Sequence, residues 1–338
     1  MKIVLDTLGG DNPPQEIIAG GVQAARSFGI EIVFSGDQQA IETEMRQHLG
    51  IKYSIIHAPQ VITMEDSPAE AVRKKKNSSL VKGIESVRDG VADAFVSPAN
   101  TGAVMAAALL RLGRIKGIER PGIATVLPTL NHKNTIVIDV GANVDCSPHN
   151  LFQFALMGSV YATEILEISN PSIGLLNIGQ EPSKGNELAL KAYELLEELP
   201  NFAGNIESNN LLRGDVDVVA CDGFVGNVML KAYEGGVAAT IEMLKHAINQ
   251  DLKAKLGALI LESSLKSFKR EMSSSRYGGA PLLGVRGVVI IAHGHSDAEA
   301  IKNAIGAAKS AIEHKLVQKL EGGITATVEG LKAASPKA

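Results

Sequence analysis

Six loops in this chain place Gly, Asn, Asp and Ser side by side directly after short apolar runs, and that grouping decides which chemistry to consider. They are Asp6-Thr7-Leu8-Gly9-Gly10-Asp11; Pro98-Ala99-Asn100-Thr101-Gly102 after Ser97; Val140-Gly141-Ala142-Asn143-Val144-Asp145 after Asp139; Ile178 to Asn186; Asp222-Gly223-Phe224-Val225-Gly226-Asn227; and His293-Gly294-His295-Ser296. Each precedes a helical pattern. Small residues at a helix start leave backbone N–H groups and the positive dipole end open, an arrangement suited to phosphate. The candidate phosphate and substrate contacts are therefore Asp6, Gly9, Gly10, Asp11, Ser97, Asn100, Thr101, Gly102, Asp139, Asn143, Asp222, Gly226, His293 and Ser296. Turn chemistry and N-capping account for any one of these loops alone. Lys184 is different: it sits just ahead of a helix, where acidic residues are favoured, and a bound anion gives it a reason to be there.

The elements that must hold these loops alternate along the chain. Candidate strands are Ile3–Asp6, Glu31–Ser35, Ala94–Ser97, Ile123–Leu127, Thr135–Asp139, Ile173–Asn177, Val216–Cys221 and Gly287–Ala292; helical stretches include Gln15–Arg26, Gln38–His48, Thr101–Arg111, Asn150–Leu166, Asn186–Glu198 and Asp297–Leu320. Continuous apolar strands with intervening helices predict an α/β fold layered around a mostly parallel sheet, with the six loops on one edge outside the carboxyl ends of the strands. Ile62–Asp89 reads as a helix-loop-helix at the rim. Phe224–Arg270 holds no strand and reads as two long helices meeting near Asn249-Gln250-Asp251. The expected organisation is one α/β domain over 1–338, with residues 224–270 a protruding helical pair suited to packing on a second subunit.

Composition narrows the function. The chain has 338 residues, and 33 Lys+Arg against 37 Asp+Glu leave −4, without the basic excess of a nucleic-acid binder. Cys146 and Cys221 lie far apart, which excludes a disulfide scaffold and a Cys-rich zinc site and suits a reducing cytoplasm. The opening Met1-Lys2-Ile3-Val4-Leu5-Asp6 reads as a strand, with no signal-peptide pattern and no membrane-spanning run elsewhere. No G-x-G-x-x-G follows the first strand and no P-loop is present. Gly294-His295-Ser296-Asp297-Ala298 approaches a hydrolase nucleophile elbow, but only His314 follows it, without a strand to present it. His293 and His295 form an isolated H-x-H, so no metal is expected.

Read in order, the motifs resemble the bacterial phosphate acyltransferase family (PlsX). They are D-x-x-G-G-D at the start, R-x-K-K-x-S-S at Arg73–Ser79, S-x-x-N-T-G-A, I-D-V-G-A-N-V-D, L-L-N-I-G-x-E-x-x-K-G-N-E, D-G-F-V-G-N, G-G-A-P-L-L-G and A-H-G-x-S. Two positions depart from the pattern: Leu8 stands where Met is usual, and Pro98-Ala99 replaces the commoner Ala-Gly. The resemblance implies a Rossmann-like fold related to isopropylmalate dehydrogenases and phosphotransacetylases. It also implies a homodimer at the inner face of the cell membrane, and the reaction of acyl carrier protein thioester with inorganic phosphate to give acyl phosphate for phospholipid synthesis. Mapped on the motifs, it makes Lys184 and Asn227 the essential residues, with no cofactor.

The chemistry agrees independently. A thiolate leaves readily, phosphate is already an oxyanion nucleophile, and the protein has to supply positioning and charge complementarity. Lysine, an Asn amide and helix N-termini do that. Two alternatives stand beside this reading: a phosphate acetyl- or butyryltransferase using coenzyme A thioesters, and a non-catalytic anion-binding scaffold subunit. In Asp251–Arg270, Leu252, Leu256, Leu259, Ile260 and Phe268 recur at helical spacing among lysines. That stripe suits either a buried dimer helix or an amphipathic tip on an anionic membrane.

Overall fold

Apolar runs become the strands of the computed structural model, which describes residues 1–48, 50–271 and 278–334. The strands are β1 (Lys2–Asp6), β2 (Glu31–Gly36), β3 (Tyr53–His57), β4 (Ala94–Ser97), β5 (Gly122–Pro128), β6 (Asn134–Ile138), β7 (Ile173–Asn177), β8 (Phe202–Glu207), β9 (Val218–Ala220), β10 (Ala280–Leu283) and β11 (Val288–Ile291). The helices are α1 (Gln15–Phe28), α2 (Gln38–Met45), α3 (Pro68–Lys74), α4 (Ser79–Arg88), α5 (Thr101–Arg111), α6 (Pro148–Ile165), α7 (Glu187–Leu196), α8 (Gly223–Gln250), α9 (Leu252–Ile260), α10 (Glu262–Glu271), α11 (Ala298–Glu313) and α12 (Leu316–Ala334).

All of these strands join one 11-stranded sheet in the order β3-β2-β1-β4-β11-β10-β5-β6-β9-β7-β8. Successive side chains of a strand point to opposite faces, and the core divides accordingly. Ile3 and Leu5 pack with α1 and α11, whereas Val4 joins the cluster of α3, α4 and α5 on the other face. Farther along, Ile136 and Ile138 meet α6 and α12, while Val137 and Val219 lie with Met229 and Leu230 of α8. The expected layered α/β fold with a mostly parallel sheet is what forms.

One expectation is corrected. β3, β2, β1, β4 and β11 run parallel, but β10 is antiparallel to β11 and to β5, and β5 is antiparallel to β6. The second parallel group, β6, β9, β7 and β8, therefore points the other way. The carboxyl ends of the two groups lie at opposite edges of the sheet, so the candidate loops form two rims instead of one.

Smaller differences have local causes. β3 and β8 are edge strands with half-exposed, mixed sequences, and the four-residue β10 contains Pro281; none carries the run of β-branched residues that marks a buried strand. The helix expected over Asp297–Leu320 breaks at His314–Lys315, where Lys315 has φ of 54°. The helix-loop-helix within Ile62–Asp89 is present as α3 and α4, yet α4 buries Leu80, Val81 and Ile84 against the sheet and is no rim element. Phe224–Arg270 holds three helices, with the expected break at Asp251 and a second at Leu261. Beyond Gly226, α8 buries no residue. No helix among the described residues is long and apolar enough to cross a membrane.

Candidate active site

The first rim gathers the ends of β1, β4 and β11. Ser97 Oγ donates to Asp6 Oδ2 (2.8 Å), and Leu8 N donates to Asp6 Oδ1 (3.1 Å). Burial pushes the Asp6 carboxyl above the usual range, opposed by hydrogen bonds from Ser79, Ser97 and the loop backbone. Gly9 packs on Ala99 and Gly10 beneath Gly294, while Asp11 N donates to Gly294 O (2.9 Å). His295 Nδ1 lies 2.5 Å from Asp11 Oδ2, and His293 Nδ1 accepts from His295 N (3.2 Å). Asn100 caps α5, accepting from Ala103 N (3.1 Å) and donating to Met64 O (3.2 Å). Thr101 is exposed at the start of α5, Gly102 packs against Pro68, and Ser296 is buried. The polar side chains of this rim are thus largely occupied in fastening one loop to another.

The second rim joins the ends of β6, β7 and β9, and its keystone is Asp139. This carboxylate is fully buried and accepts five hydrogen bonds: Ile123 N, Gly141 N and Ala142 N on Oδ1, Asn143 N and Asn143 Nδ2 on Oδ2, at 2.7–3.1 Å. Burial pushes its carboxyl above the ordinary range and those donors oppose it. Asn143 also donates to Pro121 O (2.8 Å), and its carbonyl accepts from Gly223 N (2.7 Å). The first turn of α8 is in this way sewn onto the β6 loop. Asp139 and Asn143 are engaged within the fold, so what they contribute to any anion is the shape of the loop.

Gly226 is where α8 presses closest. A Cβ there would sit 2.0 Å from Asp139 O and 2.8 Å from Cys221 Sγ, so only glycine fits. Asp222 caps α8, its Oδ1 accepting from Val225 N (2.9 Å). Asn227 is therefore no cap; it is half-buried, with its side chain lying over Gly141.

Lys184 occupies the loop between β7 and α7, and two asparagines clamp that loop. Asn177 Nδ2 donates to Lys184 O (3.0 Å), and Asn205 Nδ2 donates to Glu181 O (2.9 Å), the carbonyl that also accepts from Lys184 N (3.0 Å). Gly185 has φ of 105° and leaves room for Asn177 Oδ1, 2.6 Å from where its Cβ would be. Asn186 then caps α7, accepting from Ala189 N (2.9 Å). The Lys184 side chain runs over Gly179 and is exposed, without an ion pair among the described residues. The start of α6 reaches the same edge, closed by a capping box of Ser147 and Asn150. Three helix N-termini and the Lys184 ammonium bring positive charge to this second rim, beside the carboxylates of Asp139, Asp222 and Glu181. No hydrogen bond joins Lys184 to Asn227 among the described residues: Lys184 lies in the loop between β7 and α7, Asn227 near the start of α8.

Asn177 and Asn205 escaped the sequence reading as site residues. Asn177 lay within a motif but looked like a strand end, and Asn205 lies on β8, an edge strand without a strong pattern. Neither cysteine offers a nucleophile. Burial, with Asp139 nearby, pushes the Cys146 thiol up to about 12, and Cys221 well above its ordinary value. No group of three or more His, Cys, Asp or Glu placed to hold a metal occurs among the described residues. Of the proposed helix stripe, Leu256, Leu259 and Ile260 are 63%, 68% and 83% exposed. The side chain of Leu252 lies outside the described ones.

Comparison with known proteins gives this geometry its context. The profile described as fatty acid synthesis protein matches residues 1–319. A phosphate acyltransferase of Pelotomaculum thermopropionicum is 50% identical over 327 residues, 96% of this chain and 95% of that one. A phosphate acyltransferase of Thermoanaerobacterium thermosaccharolyticum is 45% identical over 335 residues, covering 99% and 100% of the two chains. Among solved structures, a phosphotransacetylase from Streptococcus pyogenes superposes with a TM-score of 0.63 at 18% identity, over 93% of this chain and 94% of that one. A branched-chain phosphotransacylase from Enterococcus faecalis gives 0.53 at 15%, over 92% and 99%. At those identities the structural likeness speaks for the fold.

Proposed function

The chain belongs to the fatty acid synthesis protein family, as a phosphate acyltransferase, and on that premise we propose how its second rim works. Inorganic phosphate attacks the carbonyl carbon of an acyl carrier protein thioester. The C–S bond breaks as the new C–O bond forms, the carrier leaves as thiolate and takes up a proton from water, and acyl phosphate remains for phospholipid synthesis. Lys184 supplies the positive charge that gathers phosphate against the N-terminus of α7 and stabilises the negative charge that develops in the transition state. Asn227 donates its amide to the oxygen that gains charge in the transition state, where a fixed donor counts most. The observation that carries this reading is the clamped loop: two asparagines immobilise the backbone on either side of an exposed lysine at a helix start. The first rim is retained as a second anion-contact region, through the exposed Thr101 and His293.

We favour direct displacement because burial raises the thiols of Cys146 and Cys221, so neither cysteine serves as an activated nucleophile. Intact-protein mass spectrometry after mixing with acyl carrier protein thioester, without phosphate, is expected to show no acyl adduct. A stoichiometric adduct on Cys146, Cys221 or Ser296 contradicts the mechanism. Comparing thiol release from carrier and coenzyme A thioesters at matched acyl groups tests the choice of donor. A higher kcat/KM for the carrier is expected; a strong preference for coenzyme A makes the chain a phosphotransacetylase-type enzyme instead.

Residues 224–270 are proposed to serve assembly and location. The distal part of α8, with Met243 at 74% and Leu244 at 44% exposure, suits packing on a second copy. At the far end, α9 presents Leu256, Leu259 and Ile260 beside the exposed Lys253 and Lys255, an amphipathic tip for an anionic bilayer. Peripheral binding brings a hydrolysable acyl phosphate close to the membrane that uses it. Replacing both Leu256 and Ile260 with Glu is expected to abolish liposome binding while the dimer and turnover in solution persist. Loss of the dimer shows a buried stripe, and unchanged binding to anionic liposomes removes this helix from the membrane contact.

A further inference from the structure

A cavity of about 720 Å³ opens between β7, the start of α7, the 3₁₀ turn Ser208–Arg213 and the first three turns of α8. Its size falls within the roughly 300–1,000 Å³ range of small-molecule sites, and its lining is mostly apolar. Its lining includes Leu127, Leu176 and Leu211, each at most 9% exposed and all in the core cluster on this face, so the cavity reaches down to the sheet. One wall is the face of α8 carrying Val225 with Val228 and Met229, three and four residues after it. Its polar lining comes from Asn177 and Asn186, which flank the clamped Lys184 loop, and from Ser208, Asn209 and Asp222.

We propose that this cavity holds the acyl chain of the thioester and that its depth sets the chain length the enzyme prefers. The proposal rests on the acyl-transfer reading above and deepens it. A thioester whose carbonyl lies by the Lys184 loop has an apolar tail to bury, and the apolar space lined by Met229 and Leu212 adjoins that loop at Gly185 and Asn186. Two features favour an alkyl chain over the surface of another protein: the buried leucines of the sheet in the lining, and the contact of the cavity with Asn177, Gly185 and Asn186 of the proposed reacting centre. Val228 of the wall is 56% exposed here, apolar area that a chain lying along α8 covers.

The chain contains no tryptophan, so one introduced on either wall both narrows the cavity and reports on it. Met229→Trp places the indole on α8, Leu212→Trp on the 3₁₀ turn, and Met229→Ala widens the space; Met229 and Leu212 are half-buried. The first readout is the ratio of kcat/KM for palmitoyl- over butyryl-carrier thioester, with phosphate saturating. Each Trp variant is expected to lower that ratio by about tenfold or more, while Met229→Ala does not lower it. The second readout needs no turnover: palmitate, but not butyrate, is expected to shift the Met229→Trp emission to the blue as the indole is covered. A ratio within about twofold of wild type in both Trp variants, with emission indifferent to palmitate, overturns the proposal. So does loss of the wild-type oligomeric state in both Trp variants, which assigns the cavity to a subunit contact. Failure of phosphate-dependent turnover in the wild type contradicts the acyl-transfer reading itself, and the emission shift then still decides whether the cavity takes an alkyl chain.

Discussion

Lys184→Ala and Asn227→Ala are each expected to lose about 10²–10³ in kcat, the usual effect of removing one donor aimed at developing charge. Folding is expected to survive. Lys184 is exposed, and its loop is held by backbone carbonyls that accept from Asn177 and Asn205, contacts that do not involve the lysine side chain. Asn227 lies over Gly141 outside the core, and α8 is capped by Asp222. For the exposed Lys184 such a change usually shifts stability by about 0.5 kcal/mol or less. The two variants also separate ground-state from transition-state roles. A lysine that only gathers phosphate raises the KM for phosphate at constant kcat, whereas one that stabilises the transition state lowers kcat at saturating phosphate. Steady-state rates over a phosphate series, with thermal unfolding as the control, provide the check. A variant that keeps a near wild-type kcat removes that residue from the proposed centre.

The second large effect is structural and is expected at Asp139. Asp139→Ala leaves the N–H groups of Ile123, Gly141, Ala142 and Asn143 without their shared acceptor. Each buried donor left unpaired costs about 1–3 kcal/mol, so a total loss of at least about 3 kcal/mol is expected. That is a large share of a stability of roughly 5–15 kcal/mol. Asp139→Asn keeps one acceptor but turns an NH₂ group toward existing donors, and an intermediate loss is expected. Activity falls with both, because the β6 loop carries Gly141 beneath Asn227 and Asn143 against the start of α8. Gly226→Ala tests the same joint from the helix side, since its Cβ meets backbone that has to move. Urea unfolding measures all three; an Asp139→Ala variant within about 1 kcal/mol of wild type shows that the carboxylate is not the keystone.

Much of this was legible in the amino-acid order because burial on both faces of a strand leaves unbroken Ile, Val and Leu, as in Ile3-Val4-Leu5 and Thr135-Ile136-Val137-Ile138. Lys184 was legible for an electrostatic reason: a cation just before α7 runs against the helix dipole and calls for a partner. The two-rim arrangement was legible only in part: the five residues between β5 and β6 are too few for a parallel crossover, but β10, a short Ala-Pro-Leu-Leu strand without a strand pattern, hid the equally short hairpin to β11. The asparagine clamp was hidden for a related reason, since Asn205 reaches Glu181 only once β8 lies beside β7. Asp139 read as an anion contact because it ends a strand in a Gly-Ala-Asn loop; only the fold reveals that five donors already occupy it.

The most direct test of the central claim follows the phosphorus. Acyl carrier protein thioester, inorganic phosphate and the enzyme are combined, with ³¹P NMR recording the phosphate species while a thiol reagent records free carrier. The account predicts an acyl phosphate resonance that grows in step with carrier thiol, both absent when phosphate is omitted and both nearly abolished by Lys184→Ala. Thiol release that proceeds without phosphate, or an acyl phosphate signal from coenzyme A thioester with none from the carrier, contradicts it.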